Sequence, residues 1–119
     1  MISEDTRGEK LIISFTGTNR LSIINIKAIE DSLLKEIGSG IKHLYLNMLG
    51  IHFLDTYSYN RLIAVNNAAN LFGTEFRLFN VSDELHEIFG LLNKTNQIKF
   101  LNPKDEKSVN LSLNQKFAY

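Results

Sequence analysis

The sequence has no cysteine among its 119 residues, and its thirteen basic residues balance thirteen acidic ones. Without cysteine, a disulfide framework and a thiolate metal site are both excluded. A formal net charge of zero gives the chain no general attraction for a polyanion, so we expect no nucleic-acid partner.

Long apolar runs are also missing from the chain. No stretch approaches the roughly 18 unbroken apolar residues of a membrane span. Residues 1–10 (MISEDTRGEK) are too polar for a signal peptide. We therefore expect a cytoplasmic protein that does not insert into a membrane.

Patterns that would signal catalysis or cofactor binding are absent as well. No glycine-rich loop suited to phosphate is present, and His43, His52 and His86 lack metal-ligand spacing. The residue types leave open a triad of Ser58, a histidine and Asp55, but no nucleophile-elbow pattern supports one. The sequence therefore predicts neither a metal nor a cofactor, and a protein that is not an enzyme.

What the chain does contain is the apolar content of an ordinary globular domain, 44%. Strand-like and helix-like segments follow one another in the order β-β-α-β-α-β-α-β. This order predicts an α/β fold, layered, with helices packed on a mostly parallel central β-sheet that has an antiparallel edge strand. The composition turns polar near Pro103, so we expect one domain over residues 1–101 and a polar tail, with room for a short helix or strand, over residues 102–119.

Start signals and apolar stripes mark the predicted helices. Ser22 and Ser82 are of the residue type that caps helix N-termini, and we assign them to the first and third helices. On the second helix the expected buried stripe, spaced by three and four residues, comprises Ser58, Leu62, Val65, Ala69 and Phe72. We expect the asparagines beside that stripe, Asn66, Asn67 and Asn70, to face water.

The chain is organised around residues 44–62, which read LYLNMLGIHFLDTYSYNRL. An apolar run interrupted by a glycine ends abruptly at Asp55, and a helix-period pattern begins directly after it. This arrangement predicts a buried strand that feeds a helix, with Asp55 as the helix N-cap. We expect Leu46, Phe53 and Leu62 to share one core.

This junction resembles the central motif of STAS domains, the module of anti-sigma-factor antagonists and of the cytoplasmic ends of sulfate transporters. In that family a strand runs into an Asp-Ser-Ser-Gly motif that opens a helix. Here FLDTYS stands at the motif, with Asp55 on its acid and Thr56 on its phosphorylatable serine. The order and spacing of the other elements fit from residue 11 to residue 100.

Three positions of the motif region differ from the family pattern. Tyr57 stands at the second serine, Ser58 at the glycine, and Asn47 where the preceding strand usually carries an aspartate. These changes resemble the branch of the family found in stress-signalling complexes. The hydroxyl at Thr56 is retained, so the resemblance still implies a phosphorylation site there, with Asp55, Asn47 and Ser58 as the surrounding motif and N-cap positions.

Thr56 has a structural and a functional interpretation. In the structural one, Asp55 and Thr56 are an ordinary helix cap and a first-turn residue, and such a cap contributes about 1 kcal/mol. In the functional one, a phosphate on Thr56 lies among free N–H groups at a positive helix end. The phosphate adds a charge of about −1.5 to −2, which would oppose burial of this surface by a partner.

Tyr57, Tyr59 and Ile63 lie beside the predicted asparagine face of the second helix. We interpret them as an exposed apolar patch rimmed by amides, the composition of a partner-binding surface. Packing of Tyr59 and Ile63 against a neighbouring element is the alternative.

The resemblance implies a non-catalytic regulator that binds an anti-sigma factor or a serine/threonine kinase and is switched by phosphorylation of Thr56, with a phosphatase opposing the kinase. One alternative is a scaffold subunit of a multi-protein stress-signalling complex, in which the domain assembles with copies of itself as a homodimer or with relatives. A second alternative is an accessory STAS subunit of a membrane transporter.

Overall fold

The computed structural model describes residues 2–115 of the chain. Within this range six strands and four helices follow one another. In chain order they are β1 (Ile2–Arg7), β2 (Lys10–Phe15), β3 (Arg20–Leu21), α1 (Ile26–Gly38), β4 (His43–Asn47), β5 (Phe53–Leu54), α2 (Thr56–Phe72), β6 (Glu75–Phe79), α3 (Asp83–Leu92) and α4 (Pro103–Gln115).

The main sheet has the strand order β1-β2-β4-β6. β1 runs antiparallel to β2, and the turn between them places Gly8 at a φ of 63°, a left-handed conformation that glycine adopts without strain. β4 is parallel to both β2 and β6. The predicted mostly parallel sheet with an antiparallel edge strand is therefore confirmed.

The apolar run of residues 44–54 divides between two sheets instead of forming a single strand. β4 ends at Asn47, the chain turns through Gly50 at a φ of 86°, and β5 then pairs in parallel with the two-residue strand β3. β3 is only two residues long and has no counterpart in the predicted order of elements. The division brings the chain to Asp55 along a strand that lies outside the main sheet.

The larger core lies between one face of the main sheet and helices α1, α2 and α3. Leu46 and Leu62 are fully buried in it, as expected. Phe53 is 44% exposed, so the expectation that it shares this core is wrong. β5 is short and belongs to the small sheet, where the ring of Phe53 lies against the guanidinium of Arg20.

The opposite face of the sheet is covered by α4. Val109 packs there against Ile12, Tyr45 and Phe79, all buried. Strands of a mainly parallel sheet carry apolar side chains on both faces, so the second face is stable only when another element packs on it. The described part of the segment that the sequence predicts as a polar tail is mostly helical, because α4 occupies Pro103–Gln115. Since α4 packs on the sheet through Val109, we propose that the domain continues beyond residue 101.

The local helix signals have mixed outcomes. Ser82 caps α3 by accepting a hydrogen bond from the Leu85 N–H, as expected. Ser22 does not cap α1, because a turn intervenes and the helix begins only after Asn25. On α2, Phe72 is exposed, and Asn66 is buried with its amide donating to the carbonyl of Gln97.

Candidate functional site

Asp55 lies at the junction where β5 ends and α2 begins, as the sequence predicts. Its backbone is extended, and its Oδ1 accepts a hydrogen bond of 2.7 Å from the Ser58 N–H. This is the N-cap bond that satisfies one of the unpaired donors at a helix start. Asp55 therefore caps α2, as its residue type at this position indicates.

The second oxygen of Asp55 has a partner that is distant in sequence. Oδ2 accepts a hydrogen bond of 3.1 Å from the N–H of Ile23, in the turn that precedes α1. Burial alone would raise the pKa of Asp55, but the N–H groups of Ser58 and Ile23 outweigh it and hold this pKa below its ordinary value. Asp55 is thus a carboxylate near neutral pH, and it joins two elements.

Thr56 is the first residue of α2, and its side chain is exposed. The first N–H groups of any helix lack partners within the helix, and the helix dipole places partial positive charge there. No residue within the first turn of α2 is acidic, and the N-cap carboxylate of Asp55 takes up one of these N–H groups, that of Ser58. The end of the helix at Thr56 is therefore accessible and electrostatically suited to an anionic group.

Tyr57 is exposed by 46% and lies beside a cation. The guanidinium carbon of Arg61 is 6.0 Å from its ring centroid, within the range of a cation–π contact. Arg61 Nη1 is also 3.5 Å from Oε2 of Glu30, a buried carboxylate on α1. Tyr57 therefore projects from a part of α2 that is tied to α1.

Further apolar side chains are exposed around the junction. Ile23 and Ile24 are 65% and 92% exposed, in the turn whose Ile23 N–H is held by Asp55. Phe53 lies two residues before Asp55, with the Arg20 guanidinium 5.9 Å from its ring centroid. We call Ile23, Ile24, Phe53 and Tyr57 the apolar rim of Thr56. Of its four members only Tyr57 is expected from the sequence, and the two adjacent isoleucines ahead of α1 are the local signal for the turn.

Tyr59 and Ile63 do not belong to this exposed surface. Tyr59 is only 7% exposed; its hydroxyl donates a 2.8 Å hydrogen bond to Oδ1 of Asn93, and its ring packs edge-on against Phe89. Ile63 is partly buried against the larger core. The expected exposed patch is wrong for Tyr59, because its ring packs against Phe89 of α3 and its hydroxyl binds Asn93, the residue after α3.

Asn47 is separated from the junction. Its amide donates to Ser14 Oγ, and its Oδ1 accepts from the Leu49 N–H and from Nδ2 of Asn80. Asn80 in turn exchanges two amide hydrogen bonds with Asn110 of α4. Asn47 therefore belongs to a polar network that fastens α4 at the carboxyl end of the sheet, and the structure does not bring it together with Asp55.

Ser58 is fully buried, and its Oγ has no hydrogen-bond partner among the described residues. We therefore attribute the lowered pKa of Asp55 to backbone N–H groups and not to this hydroxyl. The imidazoles contact other groups: His43 and His52 bind Glu75 and Glu84, and the ring of His86 lies against a phenylalanine. The triad left open by the residue types is not assembled.

Within residues 2–115, no group of three or more histidine, aspartate or glutamate side chains is arranged to hold a metal ion. In the same part of the chain, no helix is long and apolar enough to cross a membrane.

The family model of the STAS domain matches residues 2–107. The chain therefore belongs to the STAS family, and the matched range extends into α4. The comparison with curated protein sequences finds no relative that matches the chain.

Solved structures with this fold include anti-sigma-factor antagonists. An anti-sigma-factor antagonist (STAS) domain protein from Planctomyces limnophilus is 16% identical, with a TM-score of 0.75 over 93% of this chain and 97% of that one. SpoIIAA of Bacillus, in its phosphorylated form, is 13% identical, with a TM-score of 0.64 over 91% of this chain and 97% of that one. SLC26A9 is 15% identical, with a TM-score of 0.65 over 91% of this chain but only 21% of that one. At these identities the likeness is one of fold.

Proposed function

We propose that this protein is a non-catalytic cytoplasmic regulator that binds an anti-sigma factor or a serine/threonine kinase, and that phosphorylation of Thr56 releases the partner. A phosphatase would restore the binding form. The observation that carries the proposal is an exposed residue with a hydroxyl, Thr56, at the start of α2, together with the exposed apolar side chains of the apolar rim in the adjoining segments. Among the proteins that share the fold, SpoIIAA has been solved in unphosphorylated and phosphorylated forms.

The composition of the apolar rim supports the proposal that the binding partner is a protein. Large apolar side chains exposed close together are typical of the centre of a protein–protein interface, where aromatic residues and arginine are enriched. The rim has this composition, because Arg20 lies over Phe53 and Arg61 lies over Tyr57.

Phosphorylation of Thr56 would affect the free and the bound protein differently. In the free domain the phosphate lies at a positive helix end, which favours an anion by about 0.3–1 kcal/mol. In a complex the same charge of about −1.5 to −2 would be enclosed among the apolar side chains of the rim, where the guanidinium groups of Arg20 and Arg61 are already engaged with Phe53 and Tyr57. An unpaired buried charge costs several kcal/mol, so the switch requires no refolding.

The proposal is tested with variants at Thr56. The partner is captured from extract of the source organism, identified and purified, and its affinity is measured by calorimetry. We expect Thr56→Glu to bind at least ~10-fold more weakly than wild type, a loss of ~1.4 kcal/mol. Thr56→Gln, which matches the glutamate in size but carries no charge, should bind within about 2-fold of Thr56→Ala. A mass spectrum of the protein from its own host should contain phosphothreonine at Thr56.

Equal affinities for the glutamate, glutamine and alanine forms would contradict the switch. Thr56 would then be an ordinary first-turn residue, and the scaffold alternative would be favoured.

A further inference from the structure

Asp55 connects the start of α2 to the segment before α1 through both its side chain and its backbone. Asp55 directs Oδ1 to the Ser58 N–H at 2.7 Å and Oδ2 to the Ile23 N–H at 3.1 Å. The backbone N–H of Asp55 also donates to the carbonyl of Leu21 at 3.2 Å. Both oxygens of one carboxylate are therefore used, one by each element.

The turn held in this way presents the most exposed apolar residues of the rim. Ile23 and Ile24 project from it, and the turn itself is closed by hydrogen bonds from the N–H groups of Asn25 and Ile26 to the carbonyl of Ser22. Those bonds fix the shape of the turn. Its position relative to α2 depends on other contacts: the bond from the Ile23 N–H to Oδ2 of Asp55, the bond from the Asp55 N–H to Leu21, and the pairing of β3 with β5.

We propose that Asp55 is a positioning residue that holds the Ile23–Ile24 turn in its binding position, and that a negative charge on Thr56 weakens this hold. The inference rests on the proposed function, because it takes Thr56 as the switch. It adds a second effect of the charge: displacement of part of the binding surface.

Two physical effects connect the charge on Thr56 to the turn. A phosphate on Thr56 competes with Oδ1 of Asp55 for the N–H groups at the start of α2, which form a natural anion site. The phosphate also repels the neighbouring carboxylate of Asp55. A carboxylate displaced in either way loses the geometry that lets its Oδ2 reach the N–H of Ile23. The turn then loses its side-chain bond to the start of α2, while the pairing of β3 with β5 remains.

The first test separates the two hydrogen bonds of Asp55. In Asp55→Ser the serine hydroxyl can still cap α2, as Ser82 caps α3 in this chain, but one short side chain cannot also reach Ile23. The readout is amide hydrogen exchange measured by NMR. We expect the Ile23 amide to exchange ~10-fold faster, the equivalent of ~1.4 kcal/mol for a hydrogen bond to a charged group. Core amides such as that of Leu46 should keep their wild-type rates.

Unchanged exchange at Ile23 would overturn the proposal. If core amides also lose protection, the variant is globally destabilised, and a measurement on the wild-type protein decides the matter. The Ile23 amide proton shift should then titrate with the carboxylate of Asp55, at a midpoint below the ordinary aspartate pKa. A shift that does not move as Asp55 is protonated would refute the contact.

The second test concerns the coupling to Thr56. We expect Thr56→Glu to accelerate exchange at Ile23 by ~3-fold or more relative to Thr56→Gln, which has the same size without the charge. In the Asp55→Ser background the two variants should exchange at the same rate. Equal rates in the wild-type background would overturn the coupling.

These measurements need neither kinase nor partner, so the two proposals fail separately. If Thr56→Glu leaves Ile23 unchanged but weakens partner binding, the charge acts in the interface alone and the coupling between Thr56 and the turn is wrong. If Ile23 responds while the host protein carries no phosphothreonine, the positioning role stands and the proposed switch fails.

Discussion

Tyr59→Ala distinguishes a core residue from a surface residue on α2, and the structure sets its magnitude. The side chain is 7% exposed and packs edge-on against Phe89, with ring centroids 6.1 Å apart. Truncation of a buried aromatic residue to alanine typically costs about 3–5 kcal/mol. This is a large share of the roughly 5–15 kcal/mol by which a domain is stable, so we expect a strongly destabilised but foldable variant.

The hydroxyl of Tyr59 makes a separate contribution. It donates a hydrogen bond of 2.8 Å to Oδ1 of Asn93, an oxygen that also accepts from the Ile98 N–H. Tyr59→Phe removes this bond and keeps the ring. We expect a loss of about 0.5–1.5 kcal/mol, which leaves most of the cost of Tyr59→Ala to packing.

Urea denaturation at 25 °C, followed by circular dichroism, measures both variants. With an m-value of about 1.5 kcal/mol per M, the loss expected for Tyr59→Ala lowers the midpoint by about 2–3 M. Tyr57→Ala is the matched control, because Tyr57 is 46% exposed; we expect it to cost at most about 0.5–1 kcal/mol, including its contact with Arg61. A loss below about 1 kcal/mol for Tyr59→Ala would show that the residue lies outside the core.

Three further predictions concern the larger core, the packing of α4 on the sheet, and stability in acid. Leu62→Ala should lower the free energy of unfolding by about 2–5 kcal/mol, whereas Phe72→Ala, at an exposed residue, should lower it by less than about 0.5 kcal/mol. Urea denaturation compares the two variants. Equal losses of stability would show that α2 buries a different face. Val109→Ala should cost about 1–2 kcal/mol, from ~0.8 kcal/mol per buried methylene, whereas Leu111→Ala on the exposed side of α4 should be close to neutral; the same measurement tests both. The pKa of Asp55 is lower in the folded than in the unfolded protein, so its contribution to stability is complete above the unfolded value of about 3.9 and is lost as the pH falls through the folded value. Asp55→Ser should therefore show a weaker loss of stability below about pH 4 than wild type, and parallel curves from urea titrations across this range would contradict the linkage.

The residues that mark the start of α4 show how a local signal can be overlooked. Asn102 accepts a hydrogen bond from the Asp105 N–H through its side chain, Pro103 occupies the first helical position, and Asp105 with Glu106 supplies acid to the first turn. Each of these is a favoured helix-start feature. The sequence after Pro103 is nevertheless mostly polar, because α4 buries only a narrow strip of side chains around Val109. A polar composition of this kind is also typical of an unstructured tail.

The sequence by itself determined the elements whose signals lie within a few residues of one another. The cap at Ser82, the junction at Asp55 and the alternation of strands with helices are of this kind, because capping and amphipathic periodicity act over one or two helical turns. The family motif at Asp55 and Thr56 is equally local.

Only the tertiary structure decided which apolar side chains are exposed near the junction. Tyr59 is buried where its ring packs against Phe89 and its hydroxyl binds Asn93, 34 residues away. Ile23 joins the junction because a carboxylate 32 residues away binds its N–H. An apolar residue has the same local pattern whether a neighbour covers it or not. Burial is decided by contacts between distant segments, and these depend on how the whole chain packs.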